Sequence, residues 1–174
     1  MATAEKLPTY RFSDVVRGIG STPKSFRRWL LTLGIESKGR GWHEFTPVQI
    51  LEFAVMRHLV DWGVSIVDAA DLSVSIMGHL LTDADPTALE DAEFRQRALA
   101  SDLFRLDTKE LVVRMIGRQA FIGRIDGVAY AAYPDADGPP SYVGAQGSHL
   151  TLHFGEIALG VHQALHGDEV ESAE

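Results

Sequence analysis

The sequence predicts a mainly α fold with short β segments, in two parts: a helical N-terminal domain carrying a basic hairpin, and a small α+β C-terminal module. Three observations predict it. Cap-plus-proline pairs at Thr22-Pro23 and Thr46-Pro47 open two helices. A glycine-rich basic run, Lys38-Gly39-Arg40-Gly41, separates two short extended stretches. Beyond the break at Thr82-Asp83-Ala84-Asp85-Pro86, the pattern changes to apolar runs of strand character punctuated by Gly and Pro.

Each element follows from local chemistry. Met1 to Thr9 reads as a flexible start. Ser13 is the expected cap of a short helix through Asp14-Val15-Val16-Arg17, closed by Gly18 and Gly20. Gly20 suits a tight turn, Ser21 or Thr22 the next cap, and Pro23 the first helical position, where a missing N–H costs nothing. That helix is expected to run to Leu33 and stop at Gly34. Ile35-Glu36-Ser37 and Trp42-His43-Glu44-Phe45 form the expected hairpin. Thr46-Pro47 opens a long helix to Trp62, ended by Gly63, and Ser65 caps another to His79. Thr87 and Glu90 have capping-box spacing for a helix reaching Phe104. Leu111 to Ile116 and Ala120 to Ile122 read as paired strands around Gly117-Arg118. Tyr133 to Ser148 reads as a long loop, Leu150 to Phe154 as a strand, and Glu156 to His166 as the last helix. Gly167 to Glu174 is an acidic tail of disordered character.

Composition narrows the function. The 174 residues suffice for one compact domain or two small ones. There is no cysteine, which excludes disulfides, thiolate metal sites and a cysteine nucleophile. No apolar run is long enough to span a bilayer. The start, Met1 to Lys6, lacks the pattern of a signal peptide, so a cytoplasmic, nucleoid-associated protein is expected. The net charge of −8 argues against a nucleic-acid binder, but its distribution does not. Met1 to Val64 holds nine Lys/Arg against six Asp/Glu, and the remainder holds seven against eighteen. A mildly basic head on an acidic body is compatible with DNA, because charges beyond about 8–10 Å are screened at cellular salt.

The helix after Gly20 carries the functional signal. On a wheel of about 100° per residue, Leu30 and Leu33 fall within about 40° of Phe26, and Trp29 within about 60°. Lys24, Arg27 and Arg28 fall opposite, between about 100° and 200°. A short helix with an apolar back and a three-cation front, set behind a turn, can enter a major groove. Its first amides and the Ser21 or Thr22 hydroxyl can reach phosphate. Lys38 and Arg40, beside Trp42 and His43 in the hairpin, can follow the backbone. Taken alone, a helix with three cations is more often a solvated surface; the ordered series of elements is what points to DNA.

In that order the elements resemble the MerR family of winged helix-turn-helix transcription regulators. Phe12-Ser13-Asp14-Val15 stands where those proteins begin their first helix. Gly20-Ser21-Thr22-Pro23-Lys24-Ser25-Phe26-Arg27-Arg28-Trp29 resembles their turn and recognition helix. Gly34-Ile35 resembles the step into the wing, and Gly41-Trp42-His43-Glu44-Phe45-Thr46 the wing's return strand, with His43 in place of the usual arginine. Leu59 to Ile66 resembles the segment between their third and fourth helices. The likeness runs from Tyr10 to Leu72. It implies a winged helix-turn-helix over residues 1–72, a dimerisation or effector module over 73–167, and the tail at 168–174. It also implies DNA contact by Arg27, Arg28, Trp29, Lys38 and Arg40, to which Ser13, Arg17, Thr22, Lys24, Ser25, Trp42 and His43 are added as candidates. The family's long dimerising coiled coil has no counterpart in this chain.

The long helix from Pro47 carries Val48, Leu51, Val55, Leu59 and Trp62 on one stripe and Ile50, Phe53, Met56 and Val60 on the other, so both sides should be buried. One stripe is expected to close the DNA-binding domain, the other to meet the C-terminal module or a second subunit. A homodimer is expected, with Ile157, Val161, Ala164 and Leu165 of the last helix as dimer contact or plain core. His162 and His166, one turn apart, could ligate a metal, but Gln163 breaks the metalloprotease pattern and no third ligand stands out. Asp135-Ala136-Asp137-Gly138 reads as a turn and not a calcium loop. No nucleophile elbow or phosphate-binding fingerprint is present, so no enzyme, metal or cofactor is expected. Trp62, Phe104, Phe121, Tyr130 and Tyr133 read as core, or as the lining of a pocket for a small-molecule effector; a protein effector is the other option. The reading is a sequence-specific DNA-binding regulator of transcription. The alternatives are an excisionase-like DNA-bending factor and a protein-interaction adaptor.

Overall fold

The computed structural model describes residues 8–35, 44–82, 106–134 and 149–167. The expected helix Thr87 to Phe104, most of the loop before Ser148, the acidic tail and the hairpin residues Lys38, Arg40, Trp42 and His43 lie outside the described residues. The fold is mainly helical with a small antiparallel sheet. Its elements are α1 (Phe12–Gly18), α2 (Pro23–Thr32), α3 (Pro47–Asp61), α4 (Ile66–Thr82), α5 (Thr108–Met115), β1 (Gln119–Ile125), β2 (Val128–Ala132), β3 (Leu150–His153) and α6 (Phe154–His166).

The expected caps hold at three helices. Thr22 Oγ1 accepts from Ser25 N at 3.1 Å and Pro23 takes the first helical position. Thr46 Oγ1 accepts from Gln49 N at 3.3 Å, while Thr46 N donates to Gln49 Oε1 at 2.9 Å. Ser65 Oγ accepts from Asp68 N at 3.2 Å. Side-chain oxygens thus satisfy first-turn amides that have no partner within the helix. The first helix departs from expectation. It begins at Phe12, and Ser13 is an exposed residue inside it and not its cap. Asp14, in the first turn, instead reaches back to the residue before the helix, accepting from Arg11 N at 3.0 Å.

Of the run Leu111 to Ile116, expected as a strand, Leu111 to Met115 belong to helix α5 and Ile116 follows its end. Asp107 Oδ1 accepts from Glu110 N and Glu110 Oε2 accepts from Asp107 N, each at 2.8 Å. This reciprocal cap outweighs the strand preference of Val112 and Val113. Leu111 and Met115, one turn apart, are buried, and Val113 faces out, 71% exposed. The strand pair is formed instead by β1 and β2, which face each other from Phe121↔Ala132 to Ile125↔Val128. Asp126 and Gly127 join them with φ of 51° and 84°. Two successive positive φ values are the signature of a tight hairpin turn, and Asp-Gly is a favoured pair for it. β3 pairs antiparallel with the other edge of β1, giving the order β2-β1-β3. A side chain on Gly123 would run into the ring of its cross-strand neighbour Tyr130. Tyr130 thus covers a glycine that carries no packing of its own.

α3 sits at the centre. It packs against α1, α4, α5 and α6. Ile50, Leu51, Val55, Met56 and Leu59 are all 0–1% exposed, which accounts for the two apolar stripes. One connected core runs from Val15 and Phe26 through α3 and α4 to Phe154 and Val161. α4 passes through residue 72 without a break. The apolar stripe of α6 packs within the same chain, with Val161 buried and Ile157 and Leu165 against the core. Arg114 Nη2 donates to Leu81 O at 2.6 Å, fastening α5 to the end of α4. Among the described residues, no helix is long and apolar enough to cross a membrane.

One group in α3 conflicts with its setting. Loss of water pushes the Glu52 carboxyl from 4.5 up to about 7, and no described partner offsets it. The folded chain therefore holds a proton that the unfolded chain releases at lower pH. Stability falls as pH rises between those two values and stays reduced above them. Glu52→Gln is expected to raise stability at pH 8 by roughly 1–3 kcal/mol and to change it little at pH 4.5. Urea unfolding at both values checks this; an equal gain at both would point to a cause other than ionisation.

Candidate nucleic-acid interface

The interface begins with the turn between α1 and α2. Gly20 holds φ at +60°, a left-handed conformation that other residues adopt at a cost. Ile19 O, exposed by the turn, accepts from Arg57 Nη1 at 2.7 Å. Arg57 also donates from Nε to Asp61 Oδ2 at 3.3 Å. A cation on the central helix α3 thus holds the turn that sets the direction of α2. Sequence reasoning missed this residue; its signal was the single Lys/Arg of a helix with two apolar stripes.

α2 has two unlike faces. Phe26, Trp29 and Leu30 are 0%, 5% and 7% exposed. Phe26 lies among Phe12, Trp29, Phe45 and Phe53, with ring centroids 5.0–6.4 Å apart. The opposite face carries Lys24, Ser25, Arg27 and Arg28, all exposed, and α2 contains no acidic residue. Trp29, implied as a DNA contact by resemblance, is a core residue. It seats α2, and the small part of it that is exposed borders the groove beside α2. Arg27 is held over the Phe12 ring at 5.4 Å from its centroid, which limits its wandering.

The other candidates divide. Ser13 and Arg17 are exposed on α1, and Arg17 is engaged with Asp14 at 3.3 Å. Thr22 is committed to the cap of α2, and its hydroxyl donates to Ser25 Oγ at 3.0 Å. Thr22, Ser25 and Arg28 line a groove of about 660 Å³, completed by Arg57 and Asp61 of α3 and by Ser65 at the start of α4. Residues 8–35 carry five Lys/Arg and one acid, so this face is strongly positive on a chain of opposite net sign. Lys38, Arg40, Trp42 and His43 lie outside the described residues, but the base of their segment is fixed. Tyr10 and Phe45 exchange two backbone hydrogen bonds of 2.9 Å.

Behind this face, a polar cluster joins the start of the described chain to its end. Tyr10 Oη lies 3.0 Å from His166 Nε2, Thr108 Oγ1 lies 3.1 Å from the same nitrogen, and Thr108 Oγ1 lies 2.8 Å from His162 Nδ1. The inward nitrogens of His162 and His166, considered above as metal donors, thus meet a threonine and a tyrosine. Burial raises the Tyr10 hydroxyl above its ordinary range, so it remains a proton donor.

No protein-family model and no curated protein matches the chain.

Two substitutions test the geometry of the turn. Thr22→Ala removes a cap and is expected to cost about 1 kcal/mol. Gly20→Ala places a methyl against Arg57 in a backbone conformation unfavourable to alanine, costing about 1–2 kcal/mol. Denaturant unfolding measures both, and a Gly20→Ala chain as stable as the parent would refute the account of the turn.

Proposed function

We propose that the protein is a sequence-specific, double-stranded DNA-binding regulator of transcription that acts as a homodimer. α1 and α2 form its helix-turn-helix, and α2 is the reading helix. The observation that carries the proposal is the division of α2 into a fully seated aromatic back and an exposed front of Lys24, Arg27 and Arg28. A ten-residue helix is about 15 Å long and fits a major groove about 12 Å wide. Lys24, Arg27 and Arg28 would reach base edges and phosphate, and Ser25 and the first amides of α2 would take phosphate. The resemblance to MerR-like winged helix-turn-helix proteins belongs to this proposal, with Lys38 and Arg40 supplying backbone contacts beside α2.

A dimer follows from the requirement for selectivity: one short helix reads few base pairs, and two heads related by a two-fold axis read a palindrome. The apolar stripe of α6 is used within the chain, so the contact between copies must lie elsewhere. Light scattering of the complex is expected to give the mass of two chains plus one duplex; a single chain on the duplex would remove the dimer.

The DNA proposal is tested by replacing Arg27 and Arg28 together with Ala. Affinity for a selected duplex should fall by about 100-fold or more, and the slope of log affinity against log salt should flatten by about 3–4, since the dimer loses four cations. Folding should persist, since both side chains are exposed. Unchanged affinity and slope in a folded variant would sink the assignment of α2.

A further inference from the structure

One side chain on the front of α2 does not fit a purely electrostatic surface. Leu31 is 80% exposed, the highest value among the exposed large apolar side chains of the described residues. A single exposed leucine is ordinary by itself. Its surroundings are not. On the helical wheel it stands about 20° from Lys24, about 40° from Arg27 and about 60° from Arg28. It lies one turn beyond the two arginines and two turns beyond the lysine. Seen down the helix axis, this exposed leucine stands between Arg27 on one side and Lys24 and Arg28 on the other, on the same face as all three cations.

That pattern selects a partner. A second copy docked through this same face would bring like cations together and would be repelled. A purely apolar surface would strip water from three cations and return nothing for it. The matching surface has anionic edges and a small apolar spot between them. Duplex DNA has this form in the major groove, where phosphates line both walls and the C5 methyl of thymine projects from the floor.

We propose that Leu31 is a specificity-determining side chain that packs on the C5 methyl of a thymine, with Lys24, Arg27 and Arg28 holding the flanking phosphates and base edges. The proposal rests on the reading of α2 as the helix that enters DNA. It adds a requirement for thymine, or for another pyrimidine methylated at C5, at one position of each half-site. Leu31 supplies its methyl groups and no hydrogen bond, so cytosine, with no methyl at that point, is discriminated against by lost contact alone.

The test has two steps. Duplexes retained by the full-length protein are first selected from a random library. Each thymine of the selected site is then replaced in turn by uracil, which differs only in lacking the methyl, and binding of the parent and of Leu31→Ala is measured. At one thymine per half-site, uracil should weaken the parent by roughly three- to tenfold, the worth of one buried methyl in a tight contact. At that position Leu31→Ala should bind thymine and uracil equally, while remaining folded by circular dichroism and retaining the parent's salt dependence. If the parent is indifferent to uracil at every position, or if Leu31→Ala keeps the same sensitivity, the inference is wrong and the DNA reading stands. If Leu31→Ala alters oligomeric state and leaves the uracil response unchanged, the residue serves a protein contact and the inference is again overturned. If no duplex is retained at all, the DNA reading fails with it.

Discussion

The structure depends on the burial of both apolar stripes of α3. A helix with apolar residues on two sides cannot leave either beside water, so other elements must cover both. α1 and α4 cover part of it, and α5 and α6, from the far end of the chain, cover the rest. The two parts expected from sequence therefore share one core. What the N-terminal face presents to a ligand is set by helices that come about a hundred residues later. Arg57 converts this central position into direction: anchored on the buried helix, it grips the carbonyl of Ile19 and fixes the angle at which α2 leaves the turn.

Polar groups at this shared interface are arranged to satisfy one another. The Thr108 hydroxyl has one hydrogen and stands between two imidazole nitrogens. It can donate to one ring and accept from the other, so the protons of His162 and His166 are ordered by a neighbour on α5. Tyr10 extends the chain of contacts to the strand that pairs with Phe45. A buried hydroxyl without partners costs about 1–3 kcal/mol, which is the penalty that this cluster removes where apolar packing alone would leave it. Glu52 is the opposite case, a carboxyl in a setting that supplies nothing to stabilise its charge.

Much of this was legible in the sequence, for physical reasons that can be named. Cap residues act within one turn of the chain, so Thr22-Pro23, Thr46-Pro47 and Ser65 marked three helix starts correctly. The two-faced character of α2 followed from angular spacing alone. Ser13 was misread because the helix starts one residue before it, and Asp14 reaches back to Arg11 from the first turn. Leu111 to Ile116 was misread because β-branched residues were weighed above the Asp107 and Glu110 pair just before them. The hairpin at Asp126-Gly127 carried a clear local signal that was passed over in favour of neighbouring apolar runs. Trp29, 5% exposed, is enclosed by packing that its place in the sequence did not disclose. Arg57 on Ile19, Arg27 over Phe12 and the Thr108 cluster join residues far apart or on separate helices, where neither spacing nor propensity carries information.

The packing of α1 against α6 also dictates an order of assembly. These helices are separated by more than 130 residues, and Tyr10 touches a histidine 156 positions away. During synthesis the first helix leaves the ribosome long before its partner exists. α3 and α4, joined by a tight turn at Gly63, can pair while the rest is still being made, because closing a short loop costs little entropy. α1 must wait with Gly18 and the adjoining Ile19 uncovered on the flank that α6 will occupy. Its seating is a late event in the birth of the molecule, and the nascent head stays incomplete until α6 has emerged.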